Sequence, residues 1–396
     1  MSLIEQGKFQ TSNESSSKSF YYSPVPMLLL DRESTVVEAN CALRELMKTD
    51  VTLTRGQNLH KLLAQSKADL RGSLSSFNGF AAKSRMDRRG RLSGLGWDNH
   101  TITEHICHYH SSAFGRAKLR SVDTPLIDIS TGDVEGAILS IEVVEIEHLS
   151  RYQDALRKRI MHELMWELYA VSYDRILPEL PFYREVLNRH VAAMSPSRIL
   201  NILDLGSGTG NVALPLLRRG KTITAVDSSK AMLKKFYSKL EKKDWANLFV
   251  VEDTAERLPN ISNACFDGVT VLLALFDMQD PFSALQEAIR KLKSGGTLII
   301  TEPKSCFDVA ELMAFAENHL QEKGLMEHLK EDWNRIRTVA PQINEKIQEV
   351  QSSIDVAPEP WNAELLYQIL VKKGFSDLTF EDSHLGNCAT IKGVKP

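Results

Sequence analysis

Asn201-Ile-Leu-Asp-Leu-Gly-Ser-Gly-Thr-Gly210, continued by Asn-Val-Ala-Leu-Pro-Leu-Leu217, is the stretch whose reading decides the fold. It reads as a short buried strand, a glycine turn, and a helix beginning at about Asn211. Glycines at 206, 208 and 210 let the chain turn sharply and let a ligand approach the backbone without meeting a Cβ. A helix that follows such a turn directs its first N–H groups at whatever rests there. The spacing is G-x-G-x-G behind Asp204, which differs from the G-x-G-x-x-G of dinucleotide-binding turns. An ordinary glycine-rich connection between strand and helix is the plain alternative.

The segments downstream extend the pattern. Lys221-Thr-Ile-Thr-Ala-Val-Asp227 is a β-branched strand ending in an acid. Asp227 lies 17 residues past Gly210, near the roughly 20 at which an acidic side chain meets ribose hydroxyls in such folds. Leu248 to Glu252 is a third strand, leading into Asp253-Thr-Ala-Glu-Arg-Leu-Pro259. Phe266 to Leu275 is a fourth, Ala284 to Leu292 a helix, and Lys293 to Pro303 a fifth strand behind Gly295-Gly296. Strands alternating with helices predict an α/β architecture.

In order and spacing these segments resemble the class I S-adenosylmethionine-dependent methyltransferases, and within them the small-molecule group that includes the ubiquinone/menaquinone methylases. The resemblance covers about residues 160–396 and is concentrated in 201–303. It implies a Rossmann-like α/β fold with a mixed seven-stranded sheet, strand six at Ser376–Asp382 and an antiparallel strand seven at Cys388–Val394. It implies S-adenosyl-L-methionine as cofactor. Asp204, Gly206, Ser207, Gly208 and Gly210 would hold its methionine end. Asp227, Ser228 and Met232 would lie at the ribose, Asp253, Thr254 and Ala255 at the adenine, and Leu273 closes the set. Tyr173-Asp174, on the helix before the glycine turn, matches a pair that caps cofactor and substrate in that group, and an aromatic face suits a sulfonium. Ligands of open parallel sheets lie outside the carboxyl ends of the strands. That rule selects Asp277, Glu302, Asp382 and His384. Tyr173, Glu302 and His384 are the candidate catalytic residues, with His384 a base if the acceptor is a hydroxyl. The acceptor atom (O, C, N or S) stays open.

A chain of 396 residues is expected to hold two domains, since single cores seldom grow past about 250–300 residues. A net charge of −3 gives no electrostatic reason to expect nucleic acid. The five cysteines are scattered and never spaced C-x-x-C, which fits reduced thiols and no structural metal. No apolar core of a signal peptide is evident, and no apolar run nears the roughly 20 residues of a spanning helix. The expectation is a cytoplasmic protein with a small-molecule acceptor, no nucleic-acid partner and no membrane span.

Residues 1–18 are polar and serine-rich, expected to be a disordered tail. Between 19 and 145, Ser23-Pro-Val-Pro-Met-Leu-Leu-Leu-Asp31 and Val36-Val-Glu-Ala-Asn40 resemble the opening of a PAS domain, a smaller α+β module, with Asp123–Asp133 a loop or hairpin before a last strand. The basic stretch 79–96 reads as a solvated loop. His105-Ile-Cys-His-Tyr-His110 reads as a strand, whose alternation splits the four candidate ligands between two faces; a metal or haem pair is the sharper alternative there, as for His60. Residues 146–172 form a linker helix that packs in cis or pairs two chains, and PAS modules commonly dimerise. The methyltransferase domain is 173–396. Its helical insert at about 305–360 comprises Phe307–Gly324, Met326–Val339 and Pro341–Ile354, and carries His319, Trp333, Arg335 and Arg337. The PAS-like part would sense a ligand, set a dimer or close the active site. The alternative function is a PAS-containing regulator whose methyltransferase fold only binds a ligand or partner.

Overall fold

The structure is a computed structural model and describes residues 19–31, 35–47, 85–86, 92–93, 104–111, 114–127, 134–352 and 359–396. The chain divides into two compact units, Met1–His162 and Glu163–Pro396.

The first unit is built on an antiparallel sheet. Its strands are β1 (Met27–Asp31), β2 (Val36–Ala39), β5 (Glu104–Ser111), β6 (Gly115–Ile127) and β7 (Val134–Ile146), in the order β2-β1-β7-β6-β5. Helix α1 (Cys41–Met47) follows β2, and a small hairpin pairs β3 (Arg85–Met86) with β4 (Leu92–Ser93). Leu28, Leu30, Leu43, Leu46, Leu119, Leu139 and Ile141 form the core. The fully buried Asn40 side chain explains the Ala-Asn signature. Its Oδ1 accepts from the N–H groups of Met27 (2.9 Å) and Leu43 (3.0 Å), and its Nδ2 donates to the Val25 carbonyl at 2.7 Å. One amide thereby caps α1 and ties down the chain entering β1. The expected loop or hairpin from Asp123 is strand as far as Ile127, and β6 pairs antiparallel with β7. Within β6, Pro125 lies opposite Ala137 of β7. The 1–18 tail, His60 and most of the basic stretch lie outside the described residues, as do the side chains of His105–His110.

The unit boundary falls inside helix α2 (Leu149–Ile176), which is longer than the expected linker and carries Tyr173-Asp174 within it. Helix α3 (Pro181–Met194) follows. The second unit then alternates β8 (Asn201–Leu205), α4 (Ala213–Leu217), β9 (Thr222–Asp227), α5 (Lys230–Ser238), β10 (Leu248–Glu252), β11 (Phe266–Leu272), α6 (Pro281–Lys291) and β12 (Leu292–Pro303). Helices α7 (Val309–Glu322), α8 (Met326–Ser352) and α9 (Ala363–Lys372) lead to β13 (Ser376–Ser383) and β14 (Cys388–Val394). The seven strands lie in the order β10-β9-β8-β11-β12-β14-β13, with only β14 antiparallel to its neighbours. This is the expected mixed sheet. Its central strands read as nearly unbroken apolar runs because helices cover both faces. The strand order reverses between β8 and β11, so a crevice opens at their carboxyl ends.

Two expectations change. The helix after the glycine turn begins at Ala213 rather than at about Asn211 and spans five residues. The Gly210 and Leu214 N–H groups are spent on the carbonyls of Ser207 and Gly210. In the insert, α8 is one helix through Pro341 rather than two. A proline costs an internal hydrogen bond, but Ile336, Val339, Ala340, Ile347 and Val350 bury one continuous face on either side of it.

His190 of α3 was not anticipated. It is fully buried, its Nδ1 2.7 Å from Thr270 Oγ1 and its Nε2 2.8 Å from Thr301 Oγ1, which in turn meets Thr390 at 2.9 Å. Burial lowers its pKa from 6.5 to about 3. Unfolded chains take up the proton first as pH falls, so the contribution of His190 is complete above about pH 6.5 and fades towards pH 3. Changing His190 to Ala opens a cavity and strands two hydroxyls, and is expected to cost about 3 kcal/mol at pH 7. In urea titrations the wild type and the variant should converge as pH drops from 7 to 4.

Candidate functional site

The glycine turn at the end of β8 is held from two sides. The N–H groups of Gly206 and Ser207 both donate to the Val226 carbonyl on β9, at 2.9 and 3.0 Å. All three motif glycines have positive φ, of 66°, 54° and 80°. A Cβ on Gly206 would strike Ala274 and one on Gly210 the ring of Phe236, both at 2.3 Å, whereas one on Gly208 would meet nothing within 4 Å. The outer glycines are therefore required by packing, and the middle one borders open space where a ligand fits.

Asp227 closes the turn. Its Oδ2 accepts from the Gly208 N–H at 2.7 Å and its Oδ1 from the Ser229 N–H at 2.8 Å. Burial raises its pKa to about 6 against the pull of these two bonds, with Asp277 and Glu163 adding repulsion. Asp204, 2% exposed, is raised further, to about 7, by burial and by Asp227. Its Oδ2 has no hydrogen-bond partner, nor has the buried Ser207 Oγ. Buried acceptors left unpaired cost about 1–3 kcal/mol each. The turn thus presents spare acceptors and crowded carboxylates, a setting that favours a cationic ligand rich in donors.

Helix α2 roofs this turn. Asp174 Oδ1 accepts from Thr209 Oγ1 at 2.6 Å, and its Oδ2 pairs with Lys239 at 2.9 Å. Lys239 also donates to Asn211 Oδ1 (2.8 Å), and Asn211 to the Tyr183 hydroxyl (3.2 Å). From Tyr183 a row of rings runs through Tyr173 (6.0 Å), Tyr169 (5.1 Å) and Trp166 (5.5 Å). The row ends where the Trp166 indole N–H donates to Asp277 Oδ2 at 2.9 Å. Burial holds the Tyr173 phenol well above its usual pKa, so it stays protonated.

The other expected residues fall as follows. Ser228 and Thr254 are exposed, while Met232 and Ala255 are buried. Asp253 donates its N–H to the Asp227 carbonyl at 3.2 Å, and its Oδ1 accepts from Thr254 N–H. Leu273 sits at φ 51°, a strained value for a branched residue, with its N–H on the Thr301 carbonyl. Glu302 is fully buried. Its oxygens accept from the N–H groups of Leu275 (3.0 Å) and Phe276 (2.9 Å) and from Trp361 Nε1 (2.8 Å). These bonds shape the turn after β11. His384 follows β13. It is buried against Phe182, with ring centroids 4.9 Å apart, at φ 50°, and burial lowers its pKa to about 4. Asp382 is exposed and paired with Lys304. On the insert, Arg337 lies near Glu317 at 3.8 Å, Arg335 pairs with Asp332, and Trp333 is buried. Among the described residues no cluster of side chains suits a metal ion.

Glu163, Trp166, Asp332 and the N-cap Ser229 were missed. Ser229 alone carried a usable signal, a serine two residues beyond the strand's terminal acid.

Residues 203–300 match the family model described as a methyltransferase domain. The chain is also 31% identical over 157 residues to the ubiquinone/menaquinone biosynthesis C-methyltransferase of Bartonella quintana, covering 38% of this chain and 60% of that protein. It is 31% identical over 141 residues to the demethylmenaquinone methyltransferase of Streptomyces avermitilis, covering 36% and 54%. The match thus spans little more than half the length of these relatives. A solved structure of a putative S-adenosyl-L-methionine-dependent methyltransferase from Methanococcus maripaludis is 19% identical, over 59% of this chain and 91% of its own, with a TM-score of 0.38. The carboxylates and orphan acceptors of the turn fit S-adenosylmethionine, which brings a sulfonium, an ammonium and ribose hydroxyls.

Replacing Asp204 by Asn removes a buried charge while keeping the shape. A carboxyl whose pKa is raised on folding weakens the fold progressively as pH rises from about 4 to 7. The variant should therefore match the ligand-free wild type near pH 4. By pH 8 it should exceed it by on the order of 2 kcal/mol, roughly 4–8 °C in Tm. Differential scanning calorimetry across that range checks the sign.

Proposed function

We propose that the protein is an S-adenosylmethionine-dependent methyltransferase acting on a small molecule. The observation that carries this reading is the pairing of buried, partnerless Asp204 Oδ2 with the Asp227-braced glycine turn, within the segment that matches the methyltransferase family. Bound there, S-adenosylmethionine supplies an electrophilic methyl group for in-line displacement. The residues of this chain bind, align and exclude water, and positioning does most of the work. Asp204 and Ser207 accept from the ammonium, and Asp227 accepts from ribose hydroxyls with the lone pairs its two N–H bonds leave unused. Asp253, Thr254 and Ala255 border the adenine. Tyr173 and its neighbouring rings line the wall facing the acceptor and favour positive charge. His384, neutral at pH 7 but weakened as a base by burial, is the candidate to take a proton from a hydroxyl acceptor, and Glu302 keeps the turn after β11 in place.

The matched relatives bear quinone-methylase names, which supports a small ring compound as acceptor without fixing its atom. No described helix is long and apolar enough to cross a membrane, and we place the enzyme in the cytoplasm. The first unit is assigned a PAS-like role in sensing or dimerisation. Its support is the strand pair and the Asn40-capped helix that carry the sequence signature.

Calorimetry with S-adenosylmethionine and S-adenosylhomocysteine tests the central reading. Micromolar affinity is expected for the wild type. Asp227→Ala releases the turn and removes the ribose acceptor, and should weaken binding at least about tenfold, or 1.4 kcal/mol. No binding to the folded wild type would replace the enzyme by the regulator reading.

A further inference from the structure

Four consecutive residues of α2 hold four different elements. Tyr173 meets Tyr183 on α3, its hydroxyl accepting at 3.1 Å, and Asp174 holds Thr209 of the glycine turn and Lys239 beside α5. Ser172 and Arg175, on the opposite side, both reach Asp332 of α8. Ser172 Oγ donates to Asp332 Oδ1 at 2.8 Å, and Arg175 lies 2.6 Å from Oδ2. Arg335, one turn along α8, adds a third contact at 3.1 Å. Asp332 itself is 2% exposed. It is a buried carboxylate satisfied by two donors from another helix and one from its own, and such bonds are roughly twice as strong as neutral ones.

What α2 covers gives this contact its meaning. Glu163 repels Asp227, Trp166 holds Asp277, and Asp174 holds Thr209, so the helix crosses the site from the ribose side to the end of the glycine turn. At the expected ribose and adenine positions Ser228 and Thr254 are exposed, and at the methionine end Gly208 alone borders open space. The acceptors beside it are covered: Asp204 and Thr209 are 2% and 1% exposed. Asp174, bonded to Thr209, sets α2 against that end. Helix α8 also rests on the turn at Leu275–Asp277, so α2, α8 and that turn brace one another over the carboxyl edge.

We infer that Asp332 is a positioning residue, the latch that holds α2 down on α8 and thereby sets how fast ligand enters and leaves the methionine end of the site. It touches neither ligand nor turn, so its removal lowers the barrier to opening and leaves the contacts of the bound state intact. The inference rests on the cofactor reading above.

Asp332→Asn is a gentle test. The carboxamide still accepts from Ser172, while Arg175 and Arg335, 56% and 34% exposed in their side chains, stay solvated. Stopped-flow fluorescence with S-adenosylhomocysteine is measured on the full-length wild type, on Asp332→Asn and on the milder Ser172→Ala. Association and dissociation rates should both rise at least fivefold in Asp332→Asn and less in Ser172→Ala, with Kd held within about twofold. Asp174→Asn, which loosens the turn itself, should instead raise Kd. Wild-type rates in both latch variants, or a faster dissociation alone with Kd raised in proportion, overturns the latch. Absence of binding in the wild type overturns the cofactor reading and is told apart by that.

Discussion

The bond from the Gly208 N–H to Asp227 Oδ2 is the interaction on which the second unit's chemistry depends. It ties the turn after β8 to the end of β9, next to the two bonds that Gly206 and Ser207 make to Val226. With both oxygens spent on N–H groups, Asp227 fixes the turn in a left-handed path that only glycine takes without strain. The same carboxylate crowds Asp204, which stands without a partner. The fold therefore keeps a costly arrangement where an inert protein would place an apolar side chain. Buried groups whose ionised form is disfavoured concentrate at functional sites for this reason. Under the proposed function, the stability given up at Asp204 is what a cationic, donor-rich ligand would restore.

Around that centre the polar interior is arranged to be satisfied. His190 bridges Thr270 and Thr301, and Thr301 reaches Thr390, so one helix and three strands share a chain of hydrogen bonds. Lys291, fully buried, donates to the carbonyls of Leu258 (2.7 Å) and Ile261, and Lys221 to those of Pro196 (2.8 Å) and Ile199 (2.6 Å). Glu302 does the converse, accepting from a turn's N–H groups. The unpaired atoms at Asp204 and Ser207, unlike Trp333 Nε1, Glu256 Oε2 and Glu287 Oε2, fall together on the glycine turn. They are not a sign of a loosely built core.

The sheet was legible because its signals are local. Apolar runs of five to seven residues, closed by an acid or by glycines, locate β8, β9, β10 and β12 in the sequence, and the seven strands pair as the resemblance implied. Helix ends were less legible. Nothing in Asn211-Val-Ala-Leu-Pro announces that the helix waits until Ala213, and Pro341 looks like a boundary because the buried face that carries α8 past it is a tertiary property. Side-chain partners were legible least of all. His384 and Glu302 were selected correctly for the carboxyl edge, but burial, which decides what each can do there, depends on Phe182 and Trp361, far away in sequence. Asp332 is 160 positions from Ser172, and no spacing rule links them.

Helix α2 shows how one element serves both chemistry and access. Its polar residues are divided by face, Asp174 towards the glycine turn and Ser172 with Arg175 towards α8, while Trp166, Tyr169 and Tyr173 recur at three- and four-residue spacing and make a single aromatic stripe. A helix held only by that stripe would slide, because ring contacts are tolerant of small shifts. Directional bonds at both ends of the stripe, Trp166 to Asp277 and Asp174 to Thr209, fix its register over the site. Since the Thr209 bond is made by the turn that would hold the cofactor, the aromatic wall and the cofactor loop cannot be positioned independently. Alignment of an acceptor against a methyl group needs that shared reference, and the short bond between Asp174 and Thr209 provides it.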